Sequence, residues 1–177
     1  MSQPHPLLLQ DGTLGLRAPE PDDAEAYQAF RNDLGAVGDL IGYVRGVPRH
    51  KVAEWIAKID NKNSLTLTAV LLTDDRPVGY VNVGEIDRTS GTCEMGLAVF
   101  APEDRGKGYG GRIMRLTLDY LRDWLKVRKV SLTVLLDNQA AIALYRMCGF
   151  EVEGTLKDHY FIDGRYRSAL LMAKFLS

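Results

Sequence analysis

The spacing of hydrophobic and polar residues divides the chain into short strands and helices. Residues 13–18 alternate, with Leu14 and Leu16 on one face, which is typical of a half-buried strand. Three apolar, β-branched runs follow that suit buried strands, at residues 65–72, 78–85 and 92–100. Because only short connections separate these runs, we predict an antiparallel meander.

Helical spacing occurs on both sides of this meander. Helices are predicted at residues 24–31 and 51–59. The stretch between them, 33–47, contains glycines at four positions and predicts a loop or a broken helix. Residues 113–125 carry an apolar stripe along one side, as expected of a core-facing helix.

The last third of the chain predicts a strand, a helix and a hairpin. Residues 129–136 read as a buried strand, and the helix before them means that this strand should run parallel to residues 92–100. Asn138 can cap the next helix and Gly149 can end it. Two closing strands flank a turn at residues 163–164.

These elements predict one domain over residues 1–177, with a loose tail at residues 1–11. The predicted class is α/β, with a mixed, mostly antiparallel sheet that contains one parallel pair in its middle. We find no repeat or linker that would indicate a second domain.

Composition narrows the class of protein. The 177 residues are 46% hydrophobic and 25% charged with a net charge of −1, which is ordinary for a globular domain and argues against nucleic acid as a partner. No apolar run is long enough for a membrane span. Cys93 and Cys148 lie in apolar runs, so we expect free thiols and a cytoplasmic location. His5, His50 and His159 lack metal-ligand spacing, so no metal is expected.

The strongest chemical signal is a glycine-rich stretch between the third meander strand and its helix. A helix start presents free N–H groups and a positive dipole end, and two cations add full charges, so this stretch predicts a site for a phosphate-bearing ligand. Its members are Arg105, Gly106, Lys107, Gly108, Tyr109, Gly110 and Gly111.

Several ligands could use such a loop. Gly106, Gly108 and Gly111 match the dinucleotide pattern G-x-G-x-x-G, but that pattern expects a repeated βαβ array rather than a meander. A Walker A loop needs Ser or Thr after its lysine, and Gly108 follows Lys107. The glycines could also form a tight turn without binding anything.

Three runs in a fixed order carry a family resemblance. Arg105, Gly108 and Gly110 fit Arg-x-x-Gly-x-Gly, and residues 138–150 fit Asn-x-x-Ala-x-x-Leu-Tyr-x-x-x-Gly-Phe. Residues 153–166 supply Glu-Gly-Thr-Leu and Phe-Ile-Asp-Gly-Arg-Tyr. Together they resemble the GNAT N-acetyltransferase superfamily, in the branch with the ribosomal-protein N-terminal and spermidine acetyltransferases, over residues 13–175.

The resemblance implies a fold and a co-substrate. In the GNAT fold the parallel strands splay apart, helices cover both faces of the sheet, and the pantetheine arm of acetyl-CoA inserts between the strands. Backbone groups of Ala98, Val99 and Phe100 would then bind pantetheine, and the N–H groups of residues 106–111 would bind the diphosphate. Asn138 is expected either to contact the cofactor arm or to cap its helix, and the two roles are compatible.

The same resemblance implies direct acetyl transfer to an amine. Glu94 is the predicted base, because it shares a strand face with Gly96 and Ala98 where an acceptor could fit, and Glu85 is the alternative. A backbone N–H near residues 98–99 would stabilise the oxyanion. Tyr145 matches the family's general acid. A cysteine nucleophile is disfavoured, and a non-catalytic acyl-CoA sensor, which would need neither Glu94 nor Tyr145, remains the alternative function.

The resemblance places the amine acceptor between residues 33–47 and 159–167. Four aromatic residues in or near these segments could line an apolar wall or belong to the core: Tyr43, Trp55, Tyr160 and Phe161. Residues 42–50 are basic, which argues against spermidine and leaves a peptide N-terminus, an amino-acid derivative or an aminoglycoside open. Family members are often dimers, so a homodimer is also open.

Overall fold

A single eight-stranded sheet organises the chain, for which the computed structural model describes residues 5–38, 41 and 46–177. Its strand order is β1-β2-β3-β4-β5-β6-β8-β7. The strands are β1 (Leu9–Gln10), β2 (Leu14–Arg17), β3 (Leu65–Leu71), β4 (Pro77–Val83), β5 (Thr92–Val99), β6 (Lys129–Leu135), β7 (Glu151–Ile162) and β8 (Arg165–Phe175).

Helices connect the strands at the predicted places. They are α1 (Ala24–Asn32), α2 (Leu34–Gly38), α3 (Arg49–Ile56), α4 (Tyr109–Asp123) and α5 (Gln139–Met147). None of the helices in the described ranges is long and apolar enough to cross a membrane.

The strand pairing confirms the predicted topology. The β3-β4-β5 meander is antiparallel, and β5 and β6 form the predicted parallel pair. The closing hairpin of β7 and β8 turns at Asp163 and Gly164, which both have positive φ and suit a tight two-residue turn. Asn138 caps α5, and Gly149 follows the helix in the left-handed region.

Two boundaries differ from the prediction. The expected tail contains β1, which pairs with β2, because Gly15 leaves space for Leu7 beside it: a Cβ on Gly15 would lie 2.6 Å from Leu7 Cδ2. Helix α4 begins at Tyr109 rather than at residue 113, because Gly108 supplies a left-handed N-cap at φ 82°. Of the predicted loop at 33–47, residues 34–38 form α2, and residues 39, 40 and 42–45 lie outside the described part.

The sheet separates two hydrophobic clusters. The larger cluster joins the inner faces of α4 and α5 to the sheet and includes Cys93, Met95 and Leu97 of β5. The smaller cluster lies under α1 and α3 and includes Ala98 and Phe100 from the other face of the same chain segment. Helices therefore cover both faces, as the resemblance implies.

Aromatic rings fill the smaller cluster. The Phe100 ring packs against Tyr27 at 5.0 Å, Phe30 at 5.4 Å and Tyr80 at 5.8 Å between ring centroids. Trp55 of α3 adds an edge contact with Tyr27 at 5.5 Å. These contacts hold α1 and α3 over the C-terminal end of β5.

A buried ion pair anchors the start of α1. The Arg17 guanidinium donates to both carboxylate oxygens of Asp23 at 2.8 and 2.9 Å, and both side chains are 2% exposed. The Thr68 hydroxyl and the Glu20 N–H also donate to Asp23 Oδ2. Because all these donors converge on one carboxylate, its loss would leave the Arg17 guanidinium with only one acidic partner, the 34% exposed Asp75 at 3.4 Å.

We expect Asp23→Asn to lower the free energy of unfolding by about 3 kcal/mol, since the buried Arg17 guanidinium then keeps only its longer contact with Asp75. Asp22→Asn is the matched control, because Asp22 is the exposed neighbour in the same turn and should stay within about 0.5 kcal/mol of wild type. Urea unfolding followed by circular dichroism measures both. Equal stabilities of the two variants would contradict the anchoring role of the ion pair.

Candidate active site

The parallel strand pair opens into a gap. Its ladder pairs Thr92, Cys93 and Glu94 of β5 with residues 129–131 of β6 and then stops. Beyond that point β5 stays paired with β4 as far as Val99, and β6 stays paired with β8. The rest of both strands therefore faces the gap with unused backbone groups.

Strand alternation decides which backbone groups of β5 face the gap. The Phe100 N–H donates to the Val78 carbonyl at 2.9 Å, and the Glu94 carbonyl accepts from Gly84, so even-numbered residues bond towards β4. The Ala98 carbonyl also lies on that side, where a Cβ on Gly79 would meet it at 2.3 Å.

The direction of these backbone groups bears on the predicted contacts with pantetheine. Val99 directs its backbone groups into the gap, whereas the backbone of Ala98 and the N–H of Phe100 bond to the neighbouring strand, although Ala98 also lines the loop-side cavity. Binding of pantetheine by these three residues stays a prediction. The β4–β5 register runs without a bulge, so Met95 and Leu97 share the orientation of Val99.

A cleft extends through the gap as three adjoining cavities. The loop-side cavity, about 270 Å³, is lined by Leu97, Val99, Arg105, Asn138, Leu144 and Tyr145 among others. The middle cavity shares Leu97, Asn138 and Tyr145 with it and adds Tyr80, Asn82 and Thr133. The hairpin-side cavity, about 300 Å³, is lined by Ile41, Asn82, Glu94, Gly96, Thr133 and Tyr160 among others.

The glycine-rich loop lies at one end of this cleft and leads into α4. Gly106 and Gly108 have φ of 74° and 82°, which only glycine adopts without strain. No side chain caps α4, and its first intrahelical bond runs from the Arg112 N–H to the Gly108 carbonyl. The N–H groups of Tyr109, Gly110 and Gly111 precede that bond and are available to an anion.

A cluster of ion pairs centred on Asp104 stabilises the loop. Asp104 is 1% exposed, and it accepts from both terminal nitrogens of Arg76 at 2.7 and 3.2 Å. Lys107 Nζ donates to the same carboxylate at 3.1 Å while half of its side chain stays exposed. Hydrogen bonding from Arg76 holds the pKa of Asp104 below its ordinary value. Arg105 is exposed and lines the loop-side cavity.

Helix α5 brings two predicted residues to the cleft. The Ala141 N–H donates to the Asn138 side-chain oxygen at 3.1 Å, so Asn138 caps the helix and also lines the cleft. Tyr145 is 7% exposed, and no described residue hydrogen-bonds to its hydroxyl. Burial raises the pKa of Tyr145 to about 12, so its phenol keeps the proton at neutral pH.

Glu94 lies at the opposite end of the cleft from the loop. It is exposed on β5 and lines the hairpin-side cavity with Gly96. Thr133 Oγ1 lies 3.5 Å from Glu94 Oε1 across the mouth of the gap. The alternative base, Glu85, is exposed beyond the end of β4 and is not among the residues that line the three cavities.

The residues predicted for an acceptor wall separate into different environments. Tyr160 lines the hairpin-side cavity, whereas Trp55 packs in the aromatic cluster of α1 and α3. Phe161 is 58% exposed and contacts Tyr166 on the outer hairpin. Tyr43 lies outside the described residues.

Both cysteines are free and neither is activated. Cys93 faces the larger hydrophobic cluster, and burial raises its pKa to about 11. Burial likewise raises the pKa of Cys148. Thiols held in the protonated form are poor nucleophiles. Within the described ranges, His, Cys, Asp and Glu form no group of three or more that could hold a metal ion.

Sequence reasoning missed Arg76, Tyr80, Asn82 and Thr133. Arg76 is 28 residues from Asp104 in the chain, and no local pattern connects a turn arginine with the loop. Tyr80 and Asn82 alternate along β4, but their assignment to the face of Glu94 requires the register between β4 and β5.

Comparisons with known proteins identify the family. The model of the acetyltransferase (GNAT) family matches residues 46–150. Spermidine N(1)-acetyltransferase of Escherichia coli is 37% identical over 106 residues, which are 60% of this chain and 56% of that relative, so the match spans little more than half of its length. The L-amino acid N-acetyltransferase AaaT of the same species is 33% identical over 84% of this chain and 91% of its own.

A solved structure extends the similarity to nearly the whole chain. Spermidine N-acetyltransferase from Vibrio cholerae, in complex with CoA and spermine, has a TM-score of 0.85 at 26% identity and covers 93% of this chain and 96% of its own. The family match over more than half of the residues agrees with the open strand pair and the glycine-rich helix start. The chain belongs to the GNAT acetyltransferase family.

Proposed function

We propose that this protein transfers an acetyl group from acetyl-CoA to a primary amine by direct attack. The observation that carries the proposal is the gap between β5 and β6, which has the phosphate-type loop at one end, Glu94 at the other and Tyr145 in its wall. The family of the chain and its relatives support the same reaction.

The loop end fits the diphosphate of coenzyme A. The N–H groups at the start of α4 have no capping side chain to compete with a ligand, and Arg105 and Lys107 supply positive charge. Arg76 neutralises the buried Asp104, which allows Lys107 to turn towards a phosphate without leaving that carboxylate unpaired.

The unpaired edge of β5 fits the amide-bearing arm of the co-substrate. Met95, Leu97 and Val99 direct N–H and C=O groups into the gap, and an extended chain with amide groups can bond to them as an added strand does. Asn138 is expected to contact the arm as well, since it lines both the loop-side and the middle cavity.

Glu94 is proposed to make the acceptor amine nucleophilic. An alkylammonium with a pKa near 10.4 must lose a proton at pH 7, which costs about 4–5 kcal/mol if nothing assists. Glu94 can take that proton directly or through water, because it is exposed and lines the cavity nearest the hairpin. The Leu97 or Val99 N–H can then stabilise the negative charge that develops on the thioester oxygen.

Tyr145 is proposed to assist the departing sulfur. With a pKa of about 12 its phenol is a weaker acid than a thiol near 8.5, so complete proton transfer to the thiolate would be uphill by about 5 kcal/mol. Tyr145 therefore donates a strong hydrogen bond to the sulfur as the C–S bond breaks. The released thiolate then takes up, directly or through water, the proton that the attacking nitrogen loses as the amide forms.

The relatives agree on transfer to an amine but differ in the amine for which they are named. The relatives include enzymes named for spermidine and for L-amino acids, and both substrates present a primary amine. The match covers 91% of the L-amino acid N-acetyltransferase but only 56% of the spermidine N(1)-acetyltransferase. A cytoplasmic location and a homodimer stay predictions.

Tyr145→Phe should lower kcat by about 100-fold while coenzyme A binding stays unchanged, because only the donor to the sulfur is lost. Free-thiol release measures turnover and calorimetry measures binding. Tyr120→Phe on α4 is the matched control, since Tyr120 packs against the core and not in the cleft. Normal turnover in Tyr145→Phe would favour the non-catalytic sensor.

The raised pKa of Tyr145 also predicts the alkaline limb of the pH profile. Below its pKa the phenol is protonated, so at about pH 10 roughly 99% of Tyr145 keeps its proton, whereas a tyrosine with the ordinary pKa of 10.0 would keep half. We expect kcat at saturating substrates to stay level between about pH 8 and pH 10. A fall with its midpoint near pH 10, corrected for spontaneous thioester hydrolysis, would contradict this role.

Arg76→Gln should raise the Kd of coenzyme A by about tenfold, because Lys107 must then stay on the buried Asp104 instead of turning to phosphate. Titration calorimetry at one salt concentration measures the effect. Arg88→Gln removes the same charge from an exposed site after β4 and serves as the control. Equal Kd values of coenzyme A for the two variants would mean that Arg76 contributes to binding only through the net charge of the protein.

A further inference from the structure

A row of small and polar residues crosses the sheet beneath the hairpin-side cavity. The strand register places Thr66 of β3 opposite Asn82 of β4, and Asn82 opposite Gly96 of β5. Glu94 lies two residues before Gly96 and therefore on the same face. Asn82 and Gly96 line both the middle and the hairpin-side cavity, so they lie where the two cavities join.

Thr66 contacts the Asn82 carboxamide through its oxygen. The Thr66 hydroxyl donates to Asn82 Oδ1 at 3.1 Å, which uses the oxygen of the amide. Thr66 is itself held by Asn61, whose side chain accepts from the Thr66 N–H at 2.8 Å and donates to its carbonyl at 3.1 Å. Within the described ranges no group accepts from Asn82 Nδ2, so its two N–H donors are left for the cleft.

The floor between Asn82 and Glu94 is open. A Cβ built on Gly96 would meet no atom within 4 Å, so a ligand can approach the backbone there. This junction thus offers hydrogen-bond donors on one side and a carboxylate on the other. An acceptor whose amine contacts Glu94 can use the Asn82 donors if the carbon next to its amine-bearing carbon carries a carbonyl oxygen. An acceptor with an unsubstituted alkyl chain would leave those donors unused.

We propose that Asn82 is a specificity-determining residue that selects acceptors with a carbonyl oxygen beside the amine. The substrate class is then an α-amino acid derivative or a peptide N-terminus, and not a polyamine. This inference rests on the proposed acetyl transfer and narrows its acceptor. Thr66 acts through Asn82 as a positioning residue, because its hydroxyl orients the amide.

Matched acceptor pairs test the proposal on the full chain. One pair is L-phenylalaninamide with 2-phenylethylamine, and the other is L-methioninamide with 3-(methylthio)propylamine, and spermidine is the polyamine probe. Wild type should give a kcat/KM, expressed per unprotonated amine, about tenfold higher for each amino amide than for its partner, since a hydrogen bond is worth about that factor. A ratio near one, or spermidine as the best acceptor, overturns the proposal.

Variants then connect the preference with Asn82. Asn82→Asp keeps the shape and the oxygen that accepts from Thr66 but removes both donors, so the amide-to-amine ratio of kcat/KM should fall by about tenfold. Thr66→Val should lower the same ratio, because the amide loses its orientation. Asn63→Asp makes the same charge change at an exposed site on the chain before β3 and should leave the ratio at the wild-type value.

The amide-to-amine ratio of kcat/KM distinguishes a change in specificity from folding damage. A merely structural change lowers kcat/KM for both members of a pair together. An unchanged ratio in Asn82→Asp overturns the role of Asn82 even if activity falls. Failure of the proposed function has a different result: neither amino amides, simple amines nor spermidine would release free thiol from acetyl-CoA, and the acceptor preference would then be rejected with it.

Discussion

The early end of the ladder between β5 and β6 is the constraint on which the rest of this structure depends. Pairing stops at Glu94, yet each strand keeps its outer neighbour, so the sheet remains continuous at both sides while its centre is open. Backbone groups without a partner carry a free-energy cost unless water or a ligand satisfies them. The gap is therefore both a local loss of sheet stability and a site whose donors and acceptors are already arranged for an extended amide-bearing chain.

The contacts that stabilise the domain around the gap differ from the groups proposed to carry out the chemistry. The buried pair of Arg17 and Asp23 and the rings around Phe100 hold α1 and α3 in place on one face, and none of these contacts uses the edge of the gap. Helices α4 and α5 pack on the other face, and α5 presents Leu144 and Tyr145 to the cleft. A strand pair can stay open in this arrangement because the hydrophobic contacts that stabilise the domain lie on either side of it.

Charge is distributed unequally along the cleft. Arg105, Lys107 and Arg76 lie at the loop end around the buried Asp104, and Glu94 lines the other end. An anionic co-substrate and a cationic acceptor would consequently approach from opposite ends. Tyr145 and the junction at Asn82 lie between the two ends.

The sequence by itself determined the order and type of nearly all elements, the glycine-rich loop, the parallel pair, and Glu94 and Tyr145 as candidates, because those depend on local spacing and on motifs within single segments. Tertiary structure alone decided that Val99 points its backbone groups into the gap while Ala98 bonds to β4, that Arg76 supports the loop from 28 residues away, and that Asn82 shares a face with Glu94. These facts depend on which strands pair and in which register. A shift of one residue would turn each side chain to the opposite face without changing the local sequence pattern.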